Sequence, residues 1–434
     1  MDCLLLSKGY LATSLCEPSL TVLIFFMPNL PESMELFRRA SRVIPGGIYG
    51  HASPAAGLPG AFPYYAEKAH GCRYWDVDGR EYLDFMCGYG TISLGYGNSI
   101  VEEAASRQRE KGSVFNHPSA VMPELAEKLT ELVDFADWAV FGKNGSDMTS
   151  WAIQVAREFT GRKKILKVQG AYHGVDPWCT PGSGGIIEED VIHIHSFPWN
   201  DLDAIQTLIA RHRGEIAGLI LTPFHHPAFG DSQMPEIGFL PKVQKICNKE
   251  EILLILDDIR AGFRLSVGGS HTVFDFEPDL ACYCKALGNG YNISATLGRE
   301  HLRIAATKVF LTGSYWNDAV SMAASLACLG EIQASNLPAH LEKLGGLLIN
   351  GLRKAASEYG FKMVFSGPPA MPFMRFQDET NFFKLQRFCA LAADEGVFLH
   401  PHHNWFLSAA HDELAINQAI EAGRRAFAKL SEEL

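Results

Sequence analysis

Through the middle of the chain, continuous apolar runs alternate with stretches of helical period. Strand-like runs lie at Trp138–Phe141, Lys164–Val168, Ile216–Thr222, Ile252–Asp257 and Leu280–Cys284. Between them, Ser146–Phe159, Leu202–Arg211 and Gly238–Lys249 carry apolar residues at helical spacing, and Trp151, Val155 and Phe159 are the predicted buried face of the first. A run that is apolar at every position predicts a strand covered on both faces. Alternation of such strands with helices predicts a mostly parallel sheet with helices on both sides, an α/β fold.

The flanks read differently. An amphipathic helix is expected over Glu35–Val43, stopped by Pro45-Gly46-Gly47, and Asp78-Gly79 marks a hairpin turn inside Gly71–Gly79. Leu125, Leu129 and Leu132 give a helical stripe between Met122 and Val133. The C-terminal part is mainly helical by period, with a short strand near Val397–Leu399. This predicts a large domain over residues 101–325 and a smaller α+β domain drawn from both chain ends, 34–100 and 326–434. Residues 1–33 stand apart. Cys3–Leu6 and Ser19–Phe26 are apolar, but Asp2 sits where a leader would be basic, and Glu17-Pro18 splits the runs. Neither run approaches the ~20 residues of a membrane span. A disordered or misassigned extension is expected, with Met27 or Met34 as alternative starts.

Charge and cysteine usage narrow the function. A net charge of −11 over 434 residues disfavours nucleic acid as a partner, since phosphate neutralisation needs a basic face. No apolar run suggests a membrane partner either. Ten cysteines without a Cys-x-x-Cys pair point to free thiols in a reducing cytoplasm, with Cys282 and Cys284 on one strand facing the same side. His400, His402 and His403, with His225 and His226, lack a carboxylate at ligand spacing, and no metal is expected.

Two residues carry the chemistry. Asp257 closes the apolar run Ile252–Leu256, and Lys285 closes Leu280–Cys284, 28 residues further on. Ligands of parallel sheets sit at the carboxyl ends of strands, where both residues fall. A lysine there can hold an aldehyde as a Schiff base, and an acid on the neighbouring strand can keep a pyridine nitrogen protonated. That is the requirement of pyridoxal 5'-phosphate. Two blander arrangements stay open: Asp257 paired with Arg260 or Arg264 in a structural network, and Lys285 turned into solvent.

Three further segments fit the same cofactor. Gly145-Ser146 leave a strand and enter a helix, where free N–H groups and the positive helix end make an anion site; an ordinary helix cap at Ser146 is the competing reading. Tyr172, in Gly170-Ala171-Tyr172-His173-Gly174, could stack on a ring. Gly288 and Gly290 would allow close backbone approach to a ligand. Tyr49, Tyr89, Trp178, Tyr315, Trp316 and Trp405 are candidates for an apolar pocket, against core or interface packing.

Taken in chain order, Gly-Ser-Asp at 145–147, Tyr-His-Gly at 172–174, Asp257-Asp258-Ile259-Arg260-Ala261-Gly262-Phe263-Arg264 and Cys284-Lys285-Ala286-Leu287-Gly288-Asn289-Gly290 resemble the class III aminotransferases of fold type I. They are most similar to the subgroup containing glutamate-1-semialdehyde aminomutase. The likeness runs from about residue 35 to 430 and includes Arg42-Val43-Ile44-Pro45-Gly46-Gly47 and Phe406-Leu407-Ser408-Ala409-Ala410-His411. It implies Lys285 as the Schiff-base lysine and Asp257 as partner of the pyridine nitrogen. It also implies Tyr172 and Ile259 on the two ring faces, and Gly145 and Ser146 on the phosphate. Gly313-Ser314 matches a Gly-Thr whose hydroxyl reaches the phosphate of the neighbouring subunit, which implies a homodimer with shared active sites.

The departures bear on substrate. Trp316-Asn317-Asp318-Ala319-Val320 replaces Ser-Gly-Asn-Pro-Leu, and Thr222-Pro223 replaces Glu-Pro. The arginine with which the aminomutase grips its substrate carboxylate has no counterpart among Tyr49 to Ala56. The altered motifs are similar to those of the bacterial aminotransferases that deaminate hydrolysed fumonisin, a long-chain amino polyol. The resemblance therefore implies transfer from a bulky or long-chain primary amine to a keto acid such as pyruvate. An aminomutase or racemase is the second reading, and a catalytically silent binding protein of the same fold a remote third.

Overall fold

The computed structural model describes residues 30–50, 60–227 and 230–434, so the expectation for the N-terminal extension lies largely outside the described residues. The chain divides into two units, Met1–Tyr65 and Ala66–Leu434. In the first, a helix spans Pro31–Val43, with proline inside its first turn and Ile44 extended at its end. Gly46 and Gly47 follow with φ of 76° each, the left-handed geometry that stops a helix.

The second unit opens with an antiparallel meander: β1 (Ala66–His70), β2 (Arg73–Asp76) and β3 (Glu81–Asp84). Gly79, at φ 82°, makes the turn that Asp78-Gly79 predicts. A seven-stranded sheet follows, built from β4 (Trp138–Gly142), β5 (Lys164–Val168), β6 (Ile194–Phe197), β7 (Ile216–Leu221), β8 (Leu253–Asp257), β9 (Leu280–Tyr283) and β10 (Ser294–Gly298). Their order is β4-β10-β9-β8-β7-β5-β6. Strands β5 to β9 pair in parallel, and β10 runs antiparallel to both β4 and β9. This is the expected mostly parallel α/β sheet. A hairpin of β11 (Met363–Ser366) and β12 (Phe373–Phe376) and a short β13 (Val397–Phe398) complete the strands, and β13 pairs in parallel with β3.

Continuous apolar runs became the central strands because both of their faces are covered: every residue of β7, β8 and β9 is buried. The helix Gly145–Thr160 lays Met148, Trp151, Ala152 and Val155 on this sheet against Ile165, Ile220, Ile255 and Leu280. Phe159, expected on the same face, is instead exposed and touches His301 edge-on. β10 escaped the pattern because its Ser294, Thr296 and Gly298 are not apolar, although the first two are fully buried. The β11–β12 hairpin breaks a region expected to be helical. β9 ends at Tyr283, so Cys284 lies beyond the strand that was expected to carry it. All eight described cysteines are free thiols, six of them buried. No helix among the described residues is long and apolar enough to cross a membrane.

Two adjacent glycines in the long helix Leu337–Glu358 test how tightly it is packed. A Cβ at Gly345 would overlap the Pro369 carbonyl oxygen, whereas one at Gly346 meets nothing within 4 Å. Gly345→Ala should therefore lower stability by about 1–3 kcal/mol through overpacking. Gly346→Ala should raise it by up to about 1 kcal/mol through helix propensity. Urea unfolding midpoints of the two variants, moving in opposite directions, check this packing.

Candidate active site

Strands β8 and β9 are parallel neighbours, with Asp257 in register with Cys282. The carboxyl ends of both strands therefore bring Asp257 and Lys285 to the same edge of the sheet. They line one cavity of about 510 Å3 with Gly145, Ser146, Tyr172 and Ile259. Six of the seven residues assigned from sequence thus meet. The seventh, Ser314, is exposed in the segment between Thr312 and Asp318 and does not line this cavity. Gly288 and Gly290 stay outside it, as do all six aromatic candidates. Trp405 is core and Tyr315 exposed, while Trp178 stacks on the His173 ring with centroids 6.1 Å apart.

Asp257 is buried, and one oxygen accepts from His173 Nδ1 at 2.7 Å while the other accepts from the Ile259 N–H at 3.2 Å. Neither arginine of the alternative network ion-pairs with it. Arg264 donates to the carbonyls of Leu407 and Gly90, both at 2.7 Å, and Arg260 donates to the Asn404 side chain. With Nδ1 donating, His173 Nε2 is left buried without a partner among the described residues. Two hydrogen-bond donors thus orient the buried carboxyl group, and an acid taken out of water favours a cation beside it. His173 was passed over in the sequence. Its signal was its place beside Tyr172 combined with the need of an acid at an apolar strand end for a donor. Asp258, the next residue, points elsewhere: Ser270 donates to it through Oγ at 2.6 Å and N–H at 2.8 Å, and burial lifts its pKa to about 7.

Lys285 follows β9 with φ 45°, a left-handed conformation that costs a non-glycine residue of order 1 kcal/mol or more. Burial, and next the positive charge of Arg260, push its ammonium pKa down to about 7. Such an amine is a nucleophile near neutrality. Opposite it, the helix Gly145–Thr160 starts at the cavity wall. Its N-cap is Asn144, not Ser146, and Asp147 folds back to accept from the N–H groups of Lys143 (3.0 Å) and Asn144 (2.8 Å). A Cβ at Gly145 would come within 2.5 Å of Ile259 Cδ1, so Ile259 packs directly on the start of this helix. Ser146 Oγ accepts from Val175 N–H at 3.0 Å.

The family model for aminotransferase class-III matches residues 57–420. The chain belongs to the class III aminotransferases. It is 42% identical over 401 residues to the aminopentol aminotransferase of Sphingopyxis macrogoltabida, covering 92% of this chain and 95% of that one. It is 34% identical over 411 residues to the 3-aminobutyryl-CoA aminotransferase of Cloacimonas acidaminovorans (strain Evry), covering 94% and 99%. A solved structure of the Sphingopyxis sp. MTA144 FumI protein, in its PLP internal aldimine form, superposes with a TM-score of 0.91 at 41% identity, covering 92% and 97%. This class III aminotransferase uses pyridoxal 5'-phosphate. The residues present fit that group: a helix N-terminus at Gly145, a buried carboxyl group without an ion-paired arginine and an amine of lowered pKa line one cavity.

The Asp257–His173 bond is testable apart from catalysis. His173→Phe keeps a ring to stack on Trp178 and removes the donor. The apoprotein should lose about 1–3 kcal/mol, the penalty of an under-satisfied buried acceptor. An unchanged urea midpoint would mean that the imidazole does not hold the carboxylate.

Proposed function

We propose that this aminotransferase moves the amino group of a primary amine with a long or bulky apolar part to a keto acid such as pyruvate. The amine becomes a ketone or aldehyde and the keto acid an amino acid, a net exchange that consumes no water. The likeness to an aminopentol aminotransferase supports the donor class. So does the lack of an arginine among Tyr49 to Ala56 to hold a donor carboxylate.

The observation that carries the site assignment is the one cavity shared by Lys285, Asp257 and the helix N-terminus at Gly145 and Ser146. Bound pyridoxal 5'-phosphate supplies an aldehyde that takes up the amino group and a ring that accepts electrons from the substrate carbon. Gly145 and Ser146 would hold its phosphate at the helix N-terminus, and Tyr172 and Ile259 its two ring faces. Asp257, oriented by His173, keeps the ring nitrogen protonated. Lys285 Nζ would hold the cofactor through its aldehyde and would carry the proton to and from the substrate carbon.

A homodimer is part of the same reading. Ser314 lies outside its own subunit's cavity, and Phe310 and Tyr315 near it are 86% and 70% exposed, as a surface covered by a second subunit would be. In that dimer Ser314 would reach the partner's phosphate. A cytoplasmic location accords with the free thiols.

Purified holoenzyme should be yellow, bleach with 2-aminooctane and then form alanine from pyruvate. Lys285→Ala should lower turnover by about 10^3-fold or more. Full turnover by that variant would remove Lys285 from the mechanism.

The lowered pKa of Lys285 has a sign that can be read. Its neutral form attacks the aldehyde, so cofactor uptake by the apoprotein should rise about tenfold per pH unit and level off above about 7. A rate still climbing toward the ordinary lysine value of about 10.4 would contradict a desolvated amine.

A further inference from the structure

Lys285 stands on a turn that backbone bonds hold only in part. Its φ is 45°, and that of Asn289, at the far side of the same turn, is also 45°. Between them, Leu287 N–H donates to the Cys284 carbonyl at 2.9 Å and Gly288 N–H to that of Lys285 at 3.1 Å. Two non-glycine residues in left-handed geometry are costly, and they persist where the surroundings over-determine them.

The missing restraint comes from the stretch Ser93–Gly95 and from one side chain of the helix Ala319–Ala334. The Asn289 side chain accepts from Leu94 N–H at 2.8 Å and donates to the Gly95 carbonyl at 3.0 Å. Ser93 Oγ and Cys328 Sγ each donate to the Ala286 carbonyl at 3.2 Å. Ser93, Ala286, Asn289 and Cys328 are all buried, so water does not compete for these bonds. Asparagine suits its position, because it tolerates left-handed geometry and offers an acceptor and a donor from one planar amide. Just before Ser93, the carbonyls of Gly90 and Ile92 accept from Arg264 at 2.7 and 3.4 Å, and Thr91 between them lines the cavity. One segment therefore walls the cavity at one end and clamps the lysine turn at the other.

We propose that Asn289 is a positioning residue that acts through Lys285: by tying the turn to Leu94 and Gly95, it keeps Nζ in the cavity and shielded from water. This rests on the aminotransferase reading and deepens it. Asn289 does not line the cavity, so its effect passes through the backbone of the turn and not through a ligand. Released from this clamp, the amine would gain water, and the low pKa that burial gives it would climb back toward the ordinary lysine value.

The test measures the rate at which apoprotein takes up pyridoxal 5'-phosphate across pH, followed by absorbance. Asn289→Gly accepts the left-handed φ and removes both side-chain bonds. The pH at which its uptake levels off should move up by about one unit, which slows uptake at pH 7 roughly five- to tenfold. Asn289→Asp keeps the acceptor for Leu94 and tolerates the same φ. It should fall between, which preserves the test if the glycine variant folds poorly. Gly345→Ala, in a helix that contributes nothing to the cavity, supplies a variant of lowered stability whose level-off pH should stay that of the wild type.

A wild-type level-off pH in both asparagine variants would overturn the proposal. So would an equal upward move in Gly345→Ala, since loosened packing anywhere would then suffice. Wild-type apoprotein that takes up no cofactor, or whose borohydride-reduced adduct sits on a lysine other than Lys285, would overturn the functional reading itself and the proposal with it.

Discussion

A carboxylate at the end of a fully buried strand sets the terms for everything around it. β8 is apolar through Leu256 and then presents Asp257, buried, to the cavity. Taking an acid out of water is expensive, and a hydrogen bond from an imidazole and another from a backbone N–H reduce that expense. In the proposed reading a protonated ring beside Asp257 completes the site. Arg264 is spent on backbone carbonyls, and Arg260 donates to the Asn404 side chain.

The parallel sheet makes this arrangement compact. Because β8 and β9 run in the same direction, residues far apart in sequence come to the same edge, and the helix that begins at Gly145 brings its positive end there too. Lys285 is forced into a left-handed turn as it leaves β9. Local strain of this kind persists when packing over-determines it, and here it sits on the lysine that lines the cavity.

Burial and neighbouring charge set the protonation of the cavity's basic groups. Burial and the charge of Arg260 loosen the proton of Lys285 and push His226 toward its neutral form. Both would behave differently in water. Arg260 itself donates to the Asn404 side-chain oxygen.

Much was legible before folding. Runs apolar at every position announced β7, β8 and β9, and the spacing of Asp257 and Lys285 placed both at strand ends, because burial on two faces leaves a periodic mark in the chain. β10 left no such mark, since its buried Ser294 and Thr296 are polar. His173 left only a faint mark as the partner of Asp257, its place beside Tyr172, because the bond joins positions 84 residues apart. Nor could the choice between Arg260 and Arg264 be read, as both follow Asp257 on one short stretch. The apolar runs by themselves determined the α/β class and the strand-end positions of lysine and acid, and the motifs in chain order implied the cofactor. Which donor orients the acid, which arginine faces the cavity and which serine lies outside it were decided by tertiary packing, because these depend on distances between segments that share no local pattern.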